Sequence, residues 1–198
     1  MFLVGIYNKV GLKMASEVEI CNLALQKVGA SRISSLTENS KEAKECNFAY
    51  ALVRDREIRK YKWNFAKART LLAPDTTTPI FGQDYQFSLP SDCIRPLPTN
   101  QDTDWEIEGR KLLSSSAAII ELKYIKQVID PNLFDDAFID VLAIALALQI
   151  NERLTQSNTK KQITKDDYRE AIAMARKVNA FSNIAESPPD DSWITARN

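Results

Sequence analysis

Tyr85-Gln86-Phe87-Ser88-Leu89-Pro90, Trp105-Glu106-Ile107-Glu108-Gly109-Arg110 and Ile120-Glu121-Leu122-Lys123-Tyr124 decide how this chain folds, because in each segment the apolar residues fall at every second position. A period of two places alternate side chains on one face of a strand, whereas the flanking sequence repeats at helical spacing. Glu108-Gly109-Arg110 reads as the turn of a hairpin. Roughly three to five short strands between Tyr85 and Ile125 are expected to form one small antiparallel sheet, with Pro96 and Pro98 at an edge or in a loop.

Towards the N-terminus, Ser16-Glu17-Val18-Glu19 is a capping box, in which the Ser16 hydroxyl and the Glu19 carboxylate serve each other's backbone amides. Ile20, Leu23, Ala24 and Val28 follow at helical spacing, and Gly29 supplies the left-handed residue that ends the helix. After a serine-rich turn, Asn39 or Ser40 caps a second helix carrying Ala43, Cys46, Ala49, Tyr50, Val53, Ile58 and Tyr61. It is expected to run to about Arg69, before Pro74, which cannot continue it.

Towards the C-terminus, Asp130-Pro131 is a helix start, and Leu133 to Leu148 form the most hydrophobic helix. Thr164-Lys165-Asp166-Asp167 resembles another capping box, opening a fourth helix through Tyr168, Ala171, Ile172, Ala175 and Val178. The expected fold is therefore α+β and mainly α: a four-helix bundle with a small antiparallel β-sheet inserted between the second and third helices, and an extended C-terminal tail. Residues 16–73 and 128–186 form the bundle, 74–127 the insert and 187–198 the tail. Residues 1–15 are an N-terminal arm or an upstream start before Met14. They have no basic residue ahead of the apolar patch and no cleavage pattern, so a signal peptide is not expected.

Composition narrows the function. The 198 residues carry 26 Lys+Arg against 26 Asp+Glu, which argues against a chain that coats nucleic acid over its whole surface. There is no histidine, so the usual general base, the usual zinc ligand and every Ser/His or Cys/His pair are missing. The five glycines are too scattered for a dinucleotide fingerprint or a phosphate-binding loop. Cys21, Cys46 and Cys93 are odd in number and widely spaced, which fits reduced thiols. The longest apolar run, Phe138 to Ile150, is too short to span a bilayer. No enzyme activity, cofactor, metal or membrane contact is expected.

Four features bear on chemistry. The acid pairs Asp135-Asp136, Asp166-Asp167 and Asp190-Asp191, and the series Asp102, Asp104, Glu106 and Glu108, have the residue type of a glycosidase site. Acids at helix starts and alternating acids on a strand explain them more simply. Residues 41–69 hold nine basic against four acidic side chains, interleaved with Tyr61, Trp63 and Phe65, a composition that suits contact with a nucleic-acid backbone as well as a solvated helix face. Trp193, in a polar proline-bearing tail, is an interface anchor or folds back on its own helices. Cys21 and Cys46 fall on apolar helix faces, as small core residues do.

The run from Ser16 to Leu25, followed by Val28-Gly29, Ile33, Glu42-Ala43 and Cys46, resembles the opening of the podovirus tail tubular protein A family, the head-to-tail adaptors of short-tailed phages. The similarity continues through Val53-Arg54-Asp55, Trp63-Asn64-Phe65-Ala66, Leu89-Pro90-Ser91-Asp92-Cys93-Ile94-Arg95 and the closing Ser192-Trp193-Ile194-Thr195-Ala196-Arg197. The resemblance implies a homo-oligomeric ring of about a dozen copies below the portal of the virion. Such a ring extends the channel for double-stranded DNA, without sequence readout, and receives the tail nozzle and tail fibres on its far side. By this resemblance Trp193, Ile194, Arg197, Pro188 and Pro189 contact the portal protein. Trp105, Asp104, Glu106 and Glu108 contact the nozzle, or form an acidic lumen face. Arg54, Arg59 and Arg69 serve inter-subunit ion pairs or face the channel. A carboxylate-dependent cell-wall hydrolase and a non-specific DNA-binding module are the competing expectations.

Overall fold

The structure, a computed structural model, describes residues 15–97, 104–155 and 157–182. In chain order these form α1 (Glu17–Val28), α2 (Lys41–Lys60), β1 (Lys67–Leu72), β2 (Tyr85–Ser88), β3 (Cys93–Pro96), β4 (Trp105–Glu108), β5 (Lys111–Ser114), β6 (Ile120–Lys126), α3 (Asp136–Leu154) and α4 (Asn158–Phe181). The tail, including Pro188, Pro189, Trp193, Ile194 and Arg197, lies outside the described residues, as do residues 1–14, Pro98 and Asp102.

The local signals at α1 act as read. Ser16 Oγ accepts from the Glu19 amide and Glu19 Oε2 from the Ser16 amide, both at 3.1 Å. Gly29 closes the helix at φ 73°, and Lys160 Nζ from α4 donates to the Val28 carbonyl at 3.0 Å. A β-carbon at Gly29 would stand 2.8 Å from that ammonium, which can swing aside on its flexible stem, so it is the positive φ that favours glycine here.

The expected architecture requires correction. The helices do not form a four-helix bundle with one small sheet inserted. Instead α3 is a hub against which α1, α2 and α4 each pack, while α1 and α2 touch each other little. This arrangement follows from α3 itself, whose buried residues point in every direction, so that it offers no single stripe for bundle packing. The strands form two three-stranded antiparallel sheets, ordered β1-β6-β3 and β2-β5-β4, and not one. Leu72, Leu122 and Tyr124 from the first meet Phe87 and Leu112 from the second in a core of their own.

Three element boundaries also differ. The second helix ends at Lys60, about nine residues earlier than expected. Trp63 Nε1 donates to the Glu57 carbonyl at 3.0 Å, occupying one of the helix's terminal acceptors, and residues 67–72 pair with β6 instead of continuing the helix. Asp130-Pro131 opens a single 3-10 turn, Pro131–Leu133, and α3 starts at Asp136 behind Asp135. The fourth helix starts at Asn158, capped by Ser157, so Thr164 is no cap but a buried helical residue whose Oγ1 donates to the Lys160 carbonyl at 2.8 Å. The hairpin turn formed as read, with Gly109 at φ 57° between β4 and β5.

Candidate functional site

The segment that leaves α2 forms one wall of a groove of about 350 Å³, lined by Lys60, Tyr61, Lys62, Trp63, Arg95, Arg176 and Asn179. Three elements supply these residues: the end of α2 with the chain after it, β3, and the last turns of α4. Trp63 is the floor. Its ring is buried and packs edge-on against Phe138 of α3 at 5.1 Å, while Phe65 stacks beside it at 6.2 Å. Asn179 fastens α4 to this floor, accepting from the Asn64 amide at 2.8 Å and donating to the Lys62 carbonyl at 3.3 Å.

Glu57 sets the position of Lys60. It is 1% exposed, the one buried carboxylate among the described residues, and its oxygens accept from Lys60 Nζ and from the Tyr168 hydroxyl, each at 2.7 Å. Lys60 Nζ also donates to the Tyr168 oxygen at 2.9 Å. Burial, and then the hydrogen bond to Glu57, push the Tyr168 hydroxyl above its ordinary range, so it remains a neutral donor. Arg176 lies over the Tyr61 ring at 4.8 Å. Arg95 Nη1 reaches the Lys60 carbonyl at 3.5 Å, and its Nε is buried with no acceptor among the described residues.

The basic character continues across the first sheet. Lys67, Ile125 and Arg95 stand in one row across β1, β6 and β3, and Arg69 stands opposite Lys123 in the next. Directly opposite residues share a face. Ile125 reaches into the helical core from that face, leaving the long cationic side chains around its margin. Arg95, Lys123 and Arg176 were missed in the sequence, since no periodicity links positions so far apart; only the sheet register and the α3–α4 packing bring them together.

The residues expected to act fall in separate places. Arg54 is turned inward, 5% exposed, with Nε donating to Asp55 at 2.8 Å. Arg59 is exposed and donates to the Ile94 carbonyl, tying α2 to β3. Arg69 is exposed on β1 beside the basic groove. Trp105, Glu106 and Glu108 lie on β4, one of the two edge strands of the second sheet. Trp105 is half-buried against the sheet core, while Asp104, Glu106 and Glu108 are exposed. Charged side chains on an edge strand also discourage pairing with another sheet.

The described acid pairs are engaged in helix starts and surface ion pairs. Asp135 and Asp136 open α3, Asp166 pairs with Arg169 at 2.8 Å and Asp167 with Lys27 at 3.4 Å. No cluster of three potential metal ligands is present among the described residues. Of the aromatics interleaved with the basic run, Trp63 is core and Phe65 packs against it, leaving Tyr61 at the groove wall. No helix of the described residues is long and apolar enough to cross a membrane. No known family matches this chain, and no curated protein is similar to it.

Proposed function

We propose that this chain is a structural head-to-tail adaptor of a short-tailed phage, assembled as a ring of about a dozen copies at the junction of capsid and tail. The observation that carries this reading is a pair of unlike apolar surfaces left open on two helices. On α2, Phe48 is 80% exposed with Leu52 one turn on, between the basic residues Lys44 and Arg56. On α4, Met174, Val178 and Phe181 make a second stripe, with Phe181 88% exposed, while Ile163 stands about three turns away beyond the exposed Glu170. Contiguous apolar surface of this kind marks protein contact. Because the two surfaces differ in shape and flanking charge, they suit a head-to-tail contact, and a head-to-tail contact closes into a ring when its rotation allows.

In this reading the portal meets the C-terminal segment through Trp193, with Pro188, Pro189, Ile194 and Arg197 around it, and the nozzle meets the β4 edge. Double-stranded DNA passes through the lumen without base readout. Light scattering of the purified protein, alone and with the portal ring of the same phage, tests it. A ring mass in either sample is expected, and Phe48→Glu/Leu52→Glu should abolish it while leaving the circular dichroism unchanged. A monomer that ignores the portal overturns the proposal.

A further inference from the structure

We infer that the groove beside Arg95, with the adjoining margin of the β1-β6-β3 sheet, is a contact site for the phosphate backbone of double-stranded DNA. Lys60, Lys62, Arg95 and Arg176 converge on it from three elements of a chain whose net charge is zero. The nearby carboxylate, Glu57, is buried and already holds Lys60 and Tyr168. Lys60 is thus compensated, but Lys62, Arg95 and Arg176 have no carboxylate partner among the described residues, and like charges gathered in this way repel one another until a counter-anion arrives. Arg95 is held at the groove through Nη1, which reaches the Lys60 carbonyl at 3.5 Å.

The ligand is read from the shape of the charge. Small-molecule sites are walled mainly by apolar side chains, but here Tyr61 is the accessible aromatic and cations make up most of the rest. The cationic positions then continue to Lys123 and Arg69, at strand and residue spacings of about 5–7 Å. A row of that kind suits a polymer with evenly repeated charge better than a single anion. Single strands are bound largely by stacking bases on aromatic rings. Trp63 is buried and Tyr61 is covered by Arg176, so the surface offers backbone contact without base stacking, which favours a duplex. As a statement about which face meets DNA in a ring, this rests on the adaptor reading; the phosphate contact itself does not.

Fluorescence anisotropy of a labelled duplex with the full-length protein tests the contact. With about four phosphates neutralised, affinity should fall roughly 100-fold between ~50 and ~200 mM NaCl, and Lys62→Ala/Arg176→Ala should weaken binding and flatten that fall to roughly tenfold. Arg32→Ala/Lys165→Ala, which removes two exposed charges elsewhere, should leave both values unchanged. Lys62→Gln alone serves the same purpose should the double variant lose its circular dichroism. No binding at low salt, an equal loss in both double variants, tighter binding of a single strand, or displacement of the duplex by polyglutamate at equal charge would each overturn the inference. Light scattering on the same samples separates the two readings. Rings that do not bind DNA overturn this contact and leave the adaptor; a monomer that binds DNA does the reverse.

Discussion

The helical core and the sheet core close by different means. Around α3, long helices meet with their own apolar faces, and Trp63, Phe65, Phe134 and Phe138 interlock at centroid distances between 4.9 and 6.2 Å. In the sheet core, strands of four to seven residues each contribute one to three side chains, and neither sheet has an interior until it meets the other. The β6 strand belongs to both, since Leu122 faces the sheet core and Ile125 the helical one. The contrast shows why the molecule has no simple insert: one strand is a wall of two cores, so damage on either side of it reaches the other.

Trp63→Ala should have the largest effect, about 3–5 kcal/mol, because it opens a cavity at the aromatic cluster and removes the donor to Glu57. Urea unfolding should show it. If the two cores are coupled through β6, circular dichroism and the fluorescence of Trp105, read in a Trp193→Phe background, will give coincident transitions; separate transitions would break the comparison. Leu122→Ala and Ile125→Ala sharpen it, since both side chains are buried on opposite faces of one strand. Each should cost about 2–5 kcal/mol, and amide exchange should quicken first in the sheets for Leu122→Ala and first in the helices for Ile125→Ala.

Glu57→Ala should cost about 1–3 kcal/mol by leaving the Tyr168 hydroxyl without its acceptor. With the two cores coupled, the loss should lower both transitions together in urea unfolding. Burial raises the Tyr50 and Tyr168 hydroxyls above their ordinary value of 10. A raised folded value contributes stability that is full below pH 10 and is lost as pH climbs towards the folded value. The denaturation midpoint should therefore fall above pH 10, and Tyr168→Phe should shallow the decline. Ser16→Ala should have the smallest effect, about 1 kcal/mol, from loss of the cap at α1.

Much of the candidate site was visible as composition but not as geometry. Residues 41–69 stand out as basic, yet the structure divides them between α2, the groove wall and β1. Lys60 and Lys62 were in that run; Arg95 and Arg176 became their neighbours only through β3 and α4. Tyr61, Trp63 and Phe65 alternate in sequence, and whether they meet a ligand or a core depended on α3 covering them.

What the sequence determined by itself was local: the capping box at Ser16, the left-handed stop at Gly29, the turn at Gly109 and the burial of Cys21 and Cys46. Each of these depends on groups a few residues apart or on a single apolar face, so the energy that decides it is already present in the segment. Tertiary structure decided where α2 stops, that the strands split into two sheets, that α3 is a hub, and that cations from three elements share one groove. Those outcomes depend on partners tens of residues away, and a strand that can pair or a helix end that can be capped takes its final form only when the distant partner is in place.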